Sequence, residues 1–300
     1  MFIPRSVRSV KGPLNTNNDT LPEKNTTTLV KNKVKKKQSK VFRYGNYDQY
    51  YGYRNKEESK WDPRLSLIQA EWVNDKRILD IGCNAGLLTI QIAQKFHPQS
   101  IEGVDIDIAL IWKARKALEY QYSRCTYNDI PNSNSRRLHA DYIPQSAIVE
   151  YGSLPLLSSF TPDNSQFPHN VKFRATDWIH EPVPLAGYIT YDTIFALSIT
   201  KWIHLNNGDE GLISFFKKCY HALSPRGIFI LEIQPWSSYG KRAHLCPEMT
   251  HHWRHDIQIK PDQFISLLTS NTIGFRSFQE LGVSLNPSKG FQRSMIALYR

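Results

Sequence analysis

A doubly wound α/β fold, with a mostly parallel seven-stranded sheet and an antiparallel final strand, is the class this sequence predicts. Three observations carry it. Short apolar segments alternate with helix-patterned ones through the first five strands, an order that puts helices on both faces of a parallel sheet. The first strand runs into a glycine-containing turn that opens a helix, at 77–89. Two strand-like segments then follow one another near the C-terminal side, at 275–281 and 294–300, which implies antiparallel pairing.

Each element has its own signal. RILDI (77–81) is a short apolar strand, and GLLTIQIAQKF (86–96) reads as the helix after it. SIEGVDI (100–106) is the second strand. The next helix has apolar positions at Ile108, Ile111, Ala114 and Leu118, with Asp107 suited to its start. Residues 121–170 are rich in Asn, Ser, Pro and Asp and read as a long, partly mobile surface insertion, with a short strand or helix near 146–157. VKFRA (171–175) is the third strand. YDTIFALSI (191–199), dense in apolar residues, is a fourth and buried one. EGLISFFKKCYHAL (210–223) is an amphipathic helix with Leu212, Phe216, Cys219 and Leu223 on one face. SPRG (224–227) turns the chain into a fifth strand, IFILEI (228–233). KPDQFISLLT (260–269) starts a late helix with Pro261 in its first turn.

Composition places a globular body behind a basic arm. Hydrophobic residues make up 40% and charged ones 22% of the 300 residues, enough for one large domain at 41–300. Residues 1–40 hold ten basic residues against two acidic ones, so +8 of the net +11 resides there. That arm is also rich in Asn, Thr and Pro and reads as disordered. Its KNKVKKKQSK run (31–40) suits a nuclear localisation signal or a non-specific RNA-binding arm, giving salt-sensitive affinity. A solvated charge run without a partner and a mitochondrial presequence are the competing readings. No apolar h-region suggests secretion, and no apolar run approaches the ~20 residues of a membrane helix. Four cysteines without a C-x-x-C pair rule out a disulfide scaffold and speak against a zinc ribbon.

The most informative segment is ILDIGCNAGLLT (78–89). Gly82 and Gly86 flank a turn that lets backbone approach a ligand, and a helix N-terminus exposes unpaired N–H groups. The second strand then delivers Asp105, where an acid bonds ribose hydroxyls, and the third ends near Asp177, within reach of an adenine amino group. The spacing is G-x-x-x-G and not the dinucleotide G-x-G-x-x-G, which disfavours a nicotinamide enzyme. The three pieces in order resemble the pattern of S-adenosylmethionine-dependent methyltransferases, the class I Rossmann-like fold.

Further segments narrow the resemblance. RYGNYDQYYGYRN (43–55), LSITKWIHLNNGDEGL (197–212), QPWSSYGKR (234–242) and NPSKGFQR (286–293) closely resemble the methylphosphate capping enzymes of RNA, the bicoid-interacting protein 3 family. The likeness covers roughly 41–120 and 171–300. It implies transfer of a methyl group from S-adenosylmethionine to the γ-phosphate at the 5′ end of a small non-coding RNA. By that resemblance Tyr51 and Arg64 close over the cofactor, Gly82, Cys83 and Asn84 form its turn, and Asp105 with Ile106 meets the ribose. Asp177 and Trp178 then lie at the adenine end and Leu197 near the methyl donor. Tyr50, Arg54 and Lys201 face the RNA 5′ end as the candidate catalytic residues. Ser198, Ser237, Ser238, Lys241 and Lys289 complete the candidate substrate contacts. The resemblance also implies a nuclear ribonucleoprotein setting, a La-related protein as partner, and no metal or membrane.

Plainer readings stand beside these. The tyrosine cluster also reads as a packed cap, and Trp202 and Trp236 as packing residues. His204 reads as a local backbone partner. Cys246 with His251, His252 and His255 matches no common zinc spacing. A structural RNA-binding subunit, or a methyltransferase for a 5′-monophosphate or for protein, are the competing functions.

Overall fold

The structure is a computed structural model, which describes residues 42–47, 50, 61–123, 145–153, 166–182, 190–284 and 291–300. The basic arm, most of the insertion, and Tyr51, Arg54 and Lys289 lie outside these residues.

The seven strands are β1 (Arg77–Ile81), β2 (Ser100–Asp105), β3 (Val171–Ala175), β4 (Tyr191–Leu197), β5 (Leu223–Glu232), β6 (Ser277–Val283) and β7 (Ser294–Tyr299), in the order β3-β2-β1-β4-β5-β7-β6. Pairings from β3 through β5 are all parallel. β7 lies antiparallel between β5 and β6. The predicted fold class, a mostly parallel seven-stranded sheet with an antiparallel final strand, is therefore the observed one.

The described helices are α1 (Leu87–Phe96), α2 (Ile108–Ser123), α3 (Gln145–Tyr151), α4 (Thr200–Ala222), α5 (Pro247–His255) and α6 (Phe264–Thr269). Strand alternation divides the core between the two faces of the sheet. On one face Ile78, Phe173, Phe195, Ile230 and Ala297 pack with Leu88, Ile92, Ile111 and Ala114. On the other, Leu79, Ile194, Phe229 and Leu298 pack with Leu212, Phe215, Phe216 and Phe264. A smaller cluster of Trp202, Leu205, Tyr239, Ala243, Met249 and Ile257 sits apart from both.

Several elements depart from the sequence reading. Ile108 is exposed, because Asp107 caps α2 by accepting the Ala109 N–H (2.9 Å) and the first apolar position lies beyond the covered stripe. The inward face of α2 begins at Leu110 and Ile111. α4 starts ten residues before the predicted 210. Its first stretch is polar and charged at Asn206, Asn207 and Asp209, and Gly208 breaks the helix with φ 63°. The expected SPRG turn is drawn into the start of β5, where Arg226 has φ 67° and the register with β4 shifts. α5 has no counterpart in the sequence reading, since it buries only Met249 and has no apolar stripe. No helix among the described residues is long and apolar enough to cross a membrane.

Gly82 ends β1 with φ 75°, and a Cβ there would fall 2.3 Å from Ile199 Cγ2, in the loop leading into α4. Gly82→Ala combines left-handed strain with a clash. It is expected to cost about 2–4 kcal/mol of stability, read from the urea midpoint at unchanged m value.

Candidate functional site

The carboxyl ends of β1, β2, β4 and β5 open onto one cleft of about 820 Å³, within the range of small-molecule sites. Its position follows from topology. Strand order reverses between β1 and β4, so the loops after them diverge to opposite faces and leave a crevice.

One end of the cleft is acidic. Asp80, on β1, is 3% exposed, accepts the Thr89 hydroxyl, and is pushed up to about 6 by burial. Asp105, at the end of β2, accepts the backbone N–H groups of Asn84 (2.9 Å) and Asp107 (2.9 Å). Burial raises its carboxyl despite those donors. Asp177 lies two residues beyond β3, with its carboxylate 2.8 Å from His180 Nδ1. Trp178 is buried edge-on against Phe215, and its ring lies under the Lys218 ammonium. Ile106, Gly82, Asn84 and Leu197 complete this wall. Cys83 does not line the cleft. It is buried behind the turn, close to Gly103, where burial raises its thiol well above the ordinary value.

Arg64 is 2% exposed and holds Asp62 through two hydrogen bonds of 2.9 Å. Its Nη1 lies 3.6 Å from Glu232, itself fully buried at the end of β5. Glu232 accepts the Ser198 hydroxyl, and Ser198 accepts Arg293 Nη1. Ser198 follows β4 with φ 62°, and Gln234 Nε2 donates to its carbonyl. Gln234 Oε1 also accepts the Lys201 N–H (3.0 Å). A buried polar chain thus joins Asp62, Arg64, Glu232, Ser198 and Arg293 across the floor.

The other end is basic. Lys201, in the first turn of α4, is 6% exposed and donates to Ser238 Oγ at 3.3 Å. Its ammonium is pushed down to about 7 by burial, then by the nearby Arg293 and Arg242. Arg242 also lines the cleft, 5.5 Å over the Tyr47 ring. None of these three cations forms an ion pair with a carboxylate among the described residues. Tyr50 lines the same end, edge-on to Phe291. Ser237 and Lys241 sit outside the lining, as does Ser238 apart from its bond to Lys201.

The segment 42–47 crosses the cleft mouth. Asn46 Nδ2 donates to Asp107 (2.6 Å), Asn84 Nδ2 to the Tyr47 carbonyl (3.3 Å), and Arg43 Nε to Asn206 (2.7 Å). Gly45 adopts φ 71°, and a Cβ there would overlap the Trp202 indole. The tyrosines divide accordingly: Tyr47 packs between Phe42 and Trp202, Tyr44 is exposed, and Tyr50 faces the cleft. Trp236 stacks on Trp253, with centroids 4.6 Å apart. His204 is buried with Nε2 2.6 Å from Asp209, whose carboxylate also accepts the N–H groups of Gln258 and Ile259. Among the described residues no group of three His, Cys, Asp or Glu side chains is arranged to hold a metal.

Sequence reasoning passed over Arg242, Arg293, Glu232 and Gln234. Arg242 and Arg293 each end a segment it quoted. What those segments do not reveal is which of two neighbouring cations, Lys241 or Arg242, turns inward.

The chain matches the family described as bicoid-interacting protein 3 over residues 191–300. It is 39% identical over 280 residues to the human 7SK snRNA methylphosphate capping enzyme, covering 88% of this chain and 40% of that protein. A probable RNA methyltransferase of Arabidopsis thaliana is 39% identical over 272 residues, covering 89% and 83% respectively. The U6 snRNA methylphosphate capping enzyme Amus of Drosophila melanogaster is 32% identical over 255 residues, covering 84% and 73%. This chain therefore spans about two fifths of the human relative's length but most of the plant and fly ones. On these matches, the chain belongs to the bicoid-interacting protein 3 family.

Proposed function

We propose that this protein transfers a methyl group from S-adenosylmethionine to the terminal phosphate of a 5′-triphosphate RNA, a small non-coding RNA as in its named relatives. The observation that carries this reading is the set of three cations, Lys201, Arg242 and Arg293, lining one end of the cleft without carboxylate partners. Lys201 is buried and Arg293 half-buried, while Arg242 is exposed; a desolvated cation without a counter-charge costs stability unless an anion offsets it.

The acidic end fits the cofactor. Asp105 stands where ribose hydroxyls bind, and Asp80, buried and without an ion pair among the described residues, complements a cationic methionine moiety. When bound, S-adenosylmethionine supplies an electrophilic methyl group on sulfur.

The chain's own residues then have a positioning task. A terminal phosphate oxygen is already anionic near neutral pH, so no strong general base is needed. Lys201 supplies a point charge, and the arginines supply planar forks that fix orientation. Tyr50 adds a neutral donor that orients the phosphate without quenching its nucleophilicity. Holding an oxygen in line with the methyl–sulfur bond contributes several kcal/mol by positioning alone. The 31–40 basic run supports added, salt-sensitive RNA affinity and a nuclear address. Remaining bound to the RNA, with a La-related protein as partner, belongs to the same reading.

The test is incubation with labelled S-adenosylmethionine and matched RNAs bearing a 5′-triphosphate, monophosphate or hydroxyl. Label on the triphosphate RNA, released with its γ-phosphate, is the expected result. Label confined to the monophosphate RNA assigns the sister activity. Tight RNA binding without label on any of them sinks the enzymatic reading.

A further inference from the structure

Arg293 immediately precedes β7 and is anchored along only part of its guanidinium. Nη1 donates to Ser198 Oγ, and the group lies 5.2 Å from the Phe291 ring centroid. Ser198 is itself fixed by Glu232 and Gln234. These contacts set the plane of the fork. Nε, by contrast, is buried with no hydrogen-bond partner. Nη2 has no partner among the described residues and is not sealed in the same way, so it is the guanidinium nitrogen left for a ligand in the cleft that Arg293 lines. Arginine does not lose its charge to avoid such burial, whereas Lys201 beside it does so readily.

The charge count points the same way. A monophosphate end carries about −1.5 to −2 near neutral pH, and each further phosphate adds about one more. A monophosphate would leave part of the charge of Lys201, Arg242 and Arg293 uncompensated, and a longer phosphate chain would not. We propose that Arg293 is the residue that makes this cleft prefer a chain of phosphates over a single one. Nη1 stays on Ser198, and Nη2 takes an oxygen of a phosphate beyond the one held by Lys201, with the buried charge of Nε adding to the attraction. This rests on the phosphate-methylation reading and deepens it, because it assigns selectivity for phosphate number to a residue outside the expected set.

The experiment compares the wild type with Arg293→Gln and Arg293→Lys, loaded with S-adenosylhomocysteine for the binding measurements and supplied with S-adenosylmethionine for methyl transfer. Calorimetry measures binding of inorganic tripolyphosphate and of orthophosphate. Methyl transfer is measured on 5′-triphosphate and 5′-monophosphate forms of one RNA. The wild type is expected to favour tripolyphosphate, and Arg293→Gln to lose about tenfold or more of that preference. Arg293→Lys, with charge but no fork, should fall between. S-adenosylhomocysteine affinity should be equal in all three, which also shows that the variants are folded. A preference unchanged in Arg293→Gln overturns the proposal. So does weakened S-adenosylhomocysteine binding with equal losses on both phosphates, which would assign Arg293 to the cofactor carboxylate. If the wild type methylates neither RNA while its tripolyphosphate preference depends on Arg293, the reaction reading fails and this one stands.

Discussion

Arg64→Met is expected to lower the stability of the folded chain by about 3–5 kcal/mol. The guanidinium neutralises Asp62, 1% exposed, and lies against Glu232, 0% exposed. Methionine fills much of the volume but removes the guanidinium that two buried carboxylates face. For a domain of this size each kcal/mol shifts the midpoint by about 2–4 °C, so melting should fall by about 6–20 °C. The deficit should depend on pH with a defined sign. Without Arg64 the two carboxyls have raised values in the folded state, so folding takes up protons. The variant is therefore least destabilised in acid and loses further stability as pH rises through those raised values. Urea unfolding at pH 5 and pH 8 checks both parts. A variant within about 1 kcal/mol of the wild type at pH 8 would show that water or rearrangement compensates the buried charges.

Lys201→Met is the change expected to damage function most. Removing a charged donor aimed at the reacting phosphate typically costs about 10²–10³-fold in turnover. We expect that loss in kcat/KM for triphosphate RNA, with S-adenosylhomocysteine affinity unchanged because the acidic end is untouched. The pH behaviour is the sharper signature. Lys201 sits at about 7 in the folded state, against an ordinary lysine value of 10.5. Between those values the folded chain binds fewer protons than the unfolded one, so this group makes stability rise with pH across that window. Phosphate binding works in the opposite direction. It favours the protonated amine, so affinity for a triphosphate end should weaken as pH rises above about 7, with proton uptake on binding. Lys201→Met should flatten both trends, and Lys201→Arg should extend tight binding to higher pH. A binding profile that keeps its slope in Lys201→Met would assign the titration to another group.

The parallel part of the sheet was legible because its strands are apolar and alternate with helix-patterned segments, and the last two strands because they follow one another. Misread parts lack that signal. The first half of α4 carries Asn206 and Asp209 because they serve the segment 42–47 and the loop before α6, and not the core, while Asn207 bonds back to the Ile203 carbonyl of its own helix. α5 rests on the small cluster around Met249. At the site, the strand-end acids were readable because their positions follow from where a strand stops, whereas Lys201 was named through the family resemblance of its segment. Glu232 and Gln234 were not readable, since their roles depend on Arg64 and Ser198, which are brought to them only by the closed sheet. Long-range pairing of this kind leaves no local pattern.

The seating of β7 has a consequence for how the chain acquires competence. β7 pairs with β5 on one side and β6 on the other, and Arg293 enters the cleft only as that strand docks. A partly folded chain with β1 to β5 assembled would already present Asp80 and Asp105, yet would lack one of its three phosphate-facing cations. On the phosphate reading, polyphosphate would then bind the finished sheet more tightly than such a species and stabilise it by mass action. On that reading, tripolyphosphate should slow unfolding more than it speeds refolding.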